Sequence, residues 1–406
     1  MTAPDDRCGV VTGIGHGRSH GVLHTATAAL AATGGHALPL GNPSTGGTSW
    51  TSPGRAARRA LGEAVERYAG HLVDPARLHW AAAPADAVDV AALALYRDGQ
   101  HARPGFPFHG LRPGRKRAWV EGRTDGGRRR LVPASLVWLA PGPHAAEGPV
   151  GAVPHLPIAA GIAAGDTPGR ARAAALAEVV ERHALATAWY SGSRFPALPP
   201  QPVPPPDGAE LTWRAVPNLV GAPVVACAAR SGDRLALGCA LVPDATDPVA
   251  AAGRKAAAEA LVSLDAVDAV HTGVPDWSAV LRPVRPDRRY ADSYRPDLAD
   301  ATDLVCTLQL LADPRVAGAA AARLAGGRPR GRWRPGPVDL GARLRAHGLE
   351  PVTVDITPPD LAPSGWSVAR VLVPGLRSVG PAAFPFLGDG AEPLPPAPER
   401  LPLPHV

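Results

Sequence analysis

The chain has 406 residues, 45% of them hydrophobic, which is enough for a sizeable core in one large domain or two to three ordinary ones. Its formal net charge is +6, yet all but two of the 42 basic residues are arginine, the exceptions being Lys116 and Lys255. That skew, with abundant alanine, reflects a GC-rich coding sequence, so the charge argues for a modest pull on anionic ligands rather than for nucleic-acid binding. The four cysteines (Cys8, Cys227, Cys239, Cys306) form no CxxC pair, which excludes a zinc ribbon and reads as buried reduced thiols. The acidic start lacks a signal-peptide core and no apolar run reaches membrane-spanning length, so a cytoplasmic protein without a membrane segment is expected.

In chain order, GIGHGRSHG at 13–21 reads as a loop. His16, His20 and His24 fall at helical spacing, but Gly13, Gly15, Gly17 and Gly21 oppose a helix and hence a metal site there. The same glycines match neither GxxxxGK[ST] nor GxGxxG. Ser52-Pro53 opens a helix to about residue 70. A hairpin is expected from 117–123 and 128–139 around Asp125-Gly126-Gly127. A second helix starts after GDTPG (165–169) and runs to about Tyr190. PALPPQPVPPP (196–206) is a stiff connector. Residues 218–242 alternate as two strands around Ser231-Gly232-Asp233, and a third helix follows Asp247-Pro248. Strands are expected at 351–357 and 366–376, before a Pro-rich end. Helices alternating with strand pairs describe a mixed α/β (α+β) fold.

Two of these helices carry one pattern. ALGEAVERYAG (60–70) returns as ALAEVVERHAL (175–185), so Glu63, Glu66 and Arg67 become Glu178, Glu181 and Arg182. Positions i, i+3 and i+4 share a helix face, so each copy presents two carboxylates and an arginine together. A single copy is an ordinary solvated ion pair; two copies facing each other gather four carboxylates that repel unless divalent ions intervene. Mg²⁺ is held through carboxylates plus phosphates, and arginine forks suit phosphate oxygens, so a shared nucleotide–metal site is expected.

With these helices on the page, the chain resembles the YcaO family. The resemblance rests on ALGEAVERYAG, GIAAGDT leading into ALAEVVERHALATAWY, NLVGAPVVA, PGFPF, WVEGR…LVPASLVWL, DPVAAAGRKAAAEAL, VDITPPD and RVLVPGL, from about residue 45 to the end. Within the family, PGFPF and LVPASLVWL point to azoline-forming cyclodehydratases of peptide natural products, thiopeptide-type pathways among them. The resemblance implies a YcaO-type domain over 45–390, a lead-in at 1–44 and a Pro-rich tail at 391–406. It implies ATP and Mg²⁺ as cofactors and a ribosomal precursor peptide as substrate. A Cys, Ser or Thr side chain attacks the preceding carbonyl, ATP phosphorylates the oxygen, and phosphate leaves to give a thiazoline or oxazoline. Glu63, Glu66, Glu178 and Glu181 match the Mg²⁺ carboxylates, Arg67 and Arg182 the nucleotide-contacting arginines. Asp166 stands where the family has a nucleotide-binding Asn, and Glu259 matches the Glu of its third helix.

Departures from the family pattern are specific. Arg59 replaces a Ser, Ser49 stands near the place of a phosphate-binding Lys, Arg170 replaces a Glu, Ala163 a Ser, and Val262 and Leu264 replace Gln and Arg. Arg59 and Arg170 are candidate phosphate ligands in place of that Lys. The family tail Pro-x-Pro-x-Pro is Pro402-x-Pro404-x-Val406 here, which makes Pro404 and Val406 candidates for reaching the catalytic centre. The resemblance further implies a separate E1-like (ThiF-like) leader-peptide-binding partner and is compatible with a flavin dehydrogenase as pathway neighbour; a homodimeric state stays open. Two rivals share these residues: a degenerate, non-catalytic subunit that scaffolds a peptide-modifying complex, and a thioamide-forming enzyme.

Overall fold

The computed structural model describes residues 9–31, 44–82, 84–140, 153–272, 290–327, 333, 336–396, 398 and 400–405. Cys8 and Val406 lie outside them. The architecture is mixed helix and sheet, with three antiparallel sheets each covered by one long helix.

The first sheet has the order β1 (Val11–Ser19), β2 (Leu23–Leu30), β3 (Ser44–Ser49), and helix α1 (Pro53–His71) lies on it. The stretch expected as a loop is thus strand β1. Its glycines suit a strand because they alternate along a largely exposed edge, and the left-handed turn falls at His20 and Gly21 (φ 47° and 71°). His20 is held there by the Asp207 carbonyl at 2.7 Å.

The second sheet joins β4 (His79–Ala81), β5 (Arg117–Thr124), β6 (Arg129–Pro133), β7 (Ile162–Gly165), β11 (Val352–Asp355) and β12 (Ser367–Leu372). Its order is β4-β5-β11-β12-β7, with β6 on β5. The expected 117–139 hairpin forms, but its second arm leaves the sheet after Pro133 for a 3₁₀ turn at Ala134–Leu136. Helix α3 (Pro168–Tyr190) packs on β7 and β12, while the short α2 (Asp98–His101) lies elsewhere. The third sheet is β8 (Glu210–Ala215), β9 (Val225–Ser231) and β10 (Arg234–Ala240), covered by α4 (Pro248–Thr272). Strand β8, directly after the Pro-rich connector, had no sequence signal of its own. Four further α-helices are α5 (Tyr290–Ser293), α6 (Cys306–Leu311), α7 (Pro314–Ala325) and α8 (Leu340–Ala346).

The first and third sheets repeat one unit, three antiparallel strands followed by a helix. Each unit carries a close approach at the strand next to its helix. A Cβ at Gly47 of β3 would sit 2.2 Å from the Ala56 carbonyl oxygen, and one at Gly238 of β10 would sit 2.0 Å from that of Ala256. Facing alanines (Ala56, Ala60, Ala256, Ala260) are fully buried, so backbone packs on backbone.

Aromatics are scarce but concentrated. Phe106-Pro107-Phe108 and Phe384-Pro385-Phe386 interlock with Tyr96 stacked on both Phe108 (5.3 Å) and Phe386 (5.2 Å). Four of the five phenylalanines lie there. The Pro-rich C-terminal segment has few N–H donors, and the body holds it by its carbonyls. Arg97 donates to Leu394 (2.8 Å) and Pro395 (3.0 Å), and Trp189 Nε1 donates to Leu401 (2.8 Å). Glu392 adds a contact to His183 at 3.0 Å.

Candidate active site

Helix α1 starts where Ser52 accepts the Arg55 N–H and Pro53 fills the first turn. Thr167 caps α3 in the same way, accepting from Arg170. These starts set the phase that turns the glutamates toward one another. Each of the four is then fixed by a backbone N–H from a strand or loop. Glu63 accepts from Gly46 (3.1 Å) and Glu66 from Ala164 (2.8 Å). Glu178 accepts from Gly161 (2.9 Å) and Glu181 from Leu241 (3.0 Å). The two repeated helices therefore meet across β7, with α4 closing the third side.

Arginine and lysine thread this acidic cluster. Arg182 stands 3.6 Å from both Glu178 and Glu181. Lys255 of α4 lies 3.7 Å from Glu181 and 3.6 Å from Glu259. Burial pushes Glu66 up to about 8, the Ala164 N–H opposing and Glu178 and Glu63 reinforcing. Burial likewise raises Glu181 to about 7 against the pull of Lys255 and Arg182. Glu63 is raised by burial too, with Glu178 adding to the shift. Lys255 is held above its ordinary value, chiefly by Glu181. Burial alone would lower Arg182, but Glu181, Glu178 and Glu259 more than offset it.

The donor set fits a divalent cation. Glu181 is fully buried, and its Oε1 makes no hydrogen bond although its Oε2 accepts from Leu241. Oε1 has only the Arg182 guanidinium at 3.6 Å; a buried carboxylate oxygen without a hydrogen bond is costly, and hard oxygen donors of this kind suit Mg²⁺.

The expected residues divide into two groups. Glu63, Glu66, Glu178, Glu181, Arg182 and Glu259 gather into one interacting cluster. Arg59 joins its rim: it donates to the Thr48 carbonyl (2.7 Å), is lowered mainly by burial and feels the charge of Glu259. Arg67 pairs with Glu63 (3.1 Å) and donates to the Ser44 carbonyl (3.0 Å). Asp166 and Arg170 pair with each other at 2.6 Å, 55% and 76% exposed at the start of α3. Among the described contacts neither reaches the cluster. Pro404 is buried, and the adjoining His405 sits against Arg182, at 3.1 Å through Nδ1. Ser49 instead bonds within its own turn, to Thr51.

Two participants had escaped sequence reasoning. Lys255 carried a signal, being one of two lysines and lying four residues before Glu259 on the third helix. His405 carried none beyond its place between Pro404 and Val406. Several arginines away from the cluster are engaged locally. Arg117 is buried against the Arg112 and Arg115 carbonyls, Arg128 pairs with Glu350, and Arg129 pairs with Glu121 and Asp86. Cys227, Cys239 and Cys306 are buried and free. No described helix is long and apolar enough to cross a membrane.

Comparison with known proteins adds an independent line. Among solved structures, the fold is similar to a heterocyclase in complex with substrate and cofactor (TM-score 0.68, 19% identity), over 93% of this chain and 51% of that one. The chain thus spans about half the length of that heterocyclase. It is similar to YcaO from Methanopyrus kandleri bound with AMPPCP and Mg²⁺ (0.60, 18%), over 95% of this chain and 90% of that one. It is also similar to a chain of the E. coli microcin synthetase McbBCD complex with pro-MccB17 bound (0.62, 10%), over 97% and 96%. No curated protein matches. A family model described as YcaO cyclodehydratase, ATP- and Mg²⁺-binding, matches residues 50–377, so the cofactors are ATP and Mg²⁺, as the resemblance implied. That match spans all three glutamate-bearing helices, and the chain belongs to the YcaO family.

Proposed function

We propose that the chain is an ATP- and Mg²⁺-dependent cyclodehydratase that closes a Cys side chain, or a Ser or Thr, of a ribosomal precursor peptide onto the preceding backbone carbonyl. The observation that carries this reading is the convergence of Glu63, Glu66, Glu178, Glu181 and Glu259 from three helices around Arg182 and Lys255. ATP, when bound, supplies the phosphoryl group that makes an amide oxygen a leaving group. The chain's own part is positioning and charge. The four N–H-anchored glutamates would hold Mg²⁺ without rearranging, which is the electrostatic preorganisation such a transfer needs. Arg182 and Lys255 would face phosphate oxygens, with Arg67 behind Glu63, and Arg59 would guard the entry. Asp166 and Arg170 would contribute only by exchanging their mutual pair for the nucleotide. The 391–406 segment would close the 45–390 domain over the substrate, bringing Pro404 and Val406 to the reacting peptide. The partners in this reading are the precursor peptide and a separate leader-peptide-binding protein of the E1-like type, with a flavin dehydrogenase acting downstream.

One observation favours the degenerate, scaffolding reading: Asp166 and Arg170 are paired and exposed, and His405 occupies Arg182. Titration calorimetry with ATP, with and without Mg²⁺, separates the two. Mg²⁺-dependent binding that Glu66→Gln or Glu181→Gln removes, with circular dichroism unchanged, supports the enzyme. ATP turnover retained in both variants would sink the metal assignment, and absence of binding at millimolar ATP with the partner present would leave the scaffold.

A further inference from the structure

We propose that Arg370 is a positioning residue for the acidic cluster: it pins the Ala160–Gly161 peptide so that the Gly161 N–H holds Glu178 in place for Mg²⁺. The inference deepens the reading of that cluster as a Mg²⁺–ATP site and rests on it.

Arg370, on β12, is 1% exposed. Its Nη1 donates to three successive carbonyls of the segment leading into β7, those of Ile158 (2.8 Å), Ala159 (3.3 Å) and Ala160 (2.8 Å). Its Nε makes no hydrogen bond. Glu178 is the carboxylate whose charge reaches it, opposing the fall in pKa to about 10 that burial causes. A buried guanidinium held by carbonyls carries a desolvation cost that loop closure alone does not require, since neutral donors would suffice for that.

The link to Glu178 is a single peptide unit. Such a unit is planar and trans, so its C=O and N–H point opposite ways. Arg370 grips the Ala160 oxygen, and the N–H on the far side of the same unit, that of Gly161, donates to Glu178 Oε2 at 2.9 Å. Aiming one end aims the other. The cation also polarises the unit and strengthens its N–H as a donor. Gly161 is fixed beyond the unit as well, its carbonyl accepting from the Val371 N–H at 2.8 Å. Its φ is 93°, and a Cβ there would lie 2.7 Å from both Val179 Cγ2 and the Val371 oxygen, so the segment is pressed onto α3 beside Glu178.

The test follows Mg²⁺-dependent ATP binding by the full chain in a calorimeter, varying Mg²⁺ at fixed ATP and then ATP at fixed Mg²⁺. Arg370→Met should raise the Mg²⁺ concentration at half-saturation about tenfold or more, as loss of a group that orients a metal ligand does. Saturating Mg²⁺ should return the ATP affinity to near the wild-type value, a recovery that general damage to the fold would not show. Arg370→Lys keeps the charge without the fork, is the milder change for folding, and should show a smaller shift of the same kind. Circular dichroism reports the fold of both. An unchanged Mg²⁺ requirement in a folded variant overturns the proposal, as does a loss of ATP affinity that Mg²⁺ does not recover. The wild-type chain supplies a reading that needs no variant: the Gly161 amide proton, followed by nuclear magnetic resonance, should shift when Mg²⁺ is added with ATP. A resonance that stays in place while Mg²⁺–ATP binds overturns this proposal alone; wild-type chain that binds no Mg²⁺–ATP removes the reading beneath it as well.

Discussion

Glu66 and Glu181 are the residues at which burial and charge conflict most directly. Their folded pKa values, about 8 and about 7, lie above the ordinary 4.5. Both therefore favour the folded chain while protonated; that contribution is full below about pH 4.5 and is lost as pH rises through 7 to 8. Without divalent cation, melting temperature is expected to fall from about pH 5 to about pH 8. Added Mg²⁺ with ATP should raise it more at pH 8 than at pH 6, because fewer protons must then be displaced. Scanning calorimetry across that range checks this, and a ligand effect independent of pH would contradict it. Lys255→Met should remove the ammonium that holds Glu181 beside Glu259. Since Lys255 is 47% exposed, screening limits the loss to about 1 kcal/mol. Thermal melts should show that loss without Mg²⁺ and a smaller one with Mg²⁺–ATP.

At the scale of elements, two kinds of repetition are superposed. The sequence shows the one between α1 and α3, because carboxylate spacing is a matter of residue type. The architecture shows another, between the β1–β3–α1 and β8–β10–α4 units, and this one depends on small residues whose role is only to be absent. Gly47 and Gly238 look like any other glycine in the sequence. Their importance appears only with the helix backbone laid across them. Gly238→Ala should therefore destabilise by about 3 kcal/mol, the upper part of the overpacking range, since backbone cannot yield as a side chain can. Gly46→Ala, whose Cβ would meet nothing within 4 Å, should be close to neutral. Urea denaturation of the two variants decides this. Asp313, capping α7, offers a second test. It accepts from the N–H groups of Ala291 and Arg315, and the Arg315 side chain chiefly pulls its pKa from 3.8 down to about 2. Its contribution is present above pH 3.8 and lost as pH falls through 2. Asp313→Asn should cost about 1–3 kcal/mol at pH 7, and its melting curve should converge on the wild type near pH 2.

For the whole molecule, helix-bearing segments with caps and even periodicity were legible, as α1, α3 and α4 show. The convergence of the repeated carboxylates was legible for the same reason. Strands β1 and β7 were not, since glycine and alanine carry no alternation to read. Lys255 and His405 acquire meaning only when α4 and the C-terminal segment are folded against α3, which is a property of tertiary placement. The interlocked Phe-Pro-Phe pairs show what that placement entails in time. Their partners lie nearly 280 residues apart, so this contact closes a very long loop and belongs to the slow, high-contact-order class. Until residues 381–388 arrive, Phe106 and Phe108 are covered on one side only, by Tyr96. The early chain is expected to carry an exposed apolar patch through synthesis, so the yield of folded protein should improve with chaperones or at low temperature. Phe384→Ser and Phe386→Ser should accordingly lower soluble expression more than they lower the melting temperature of what does fold.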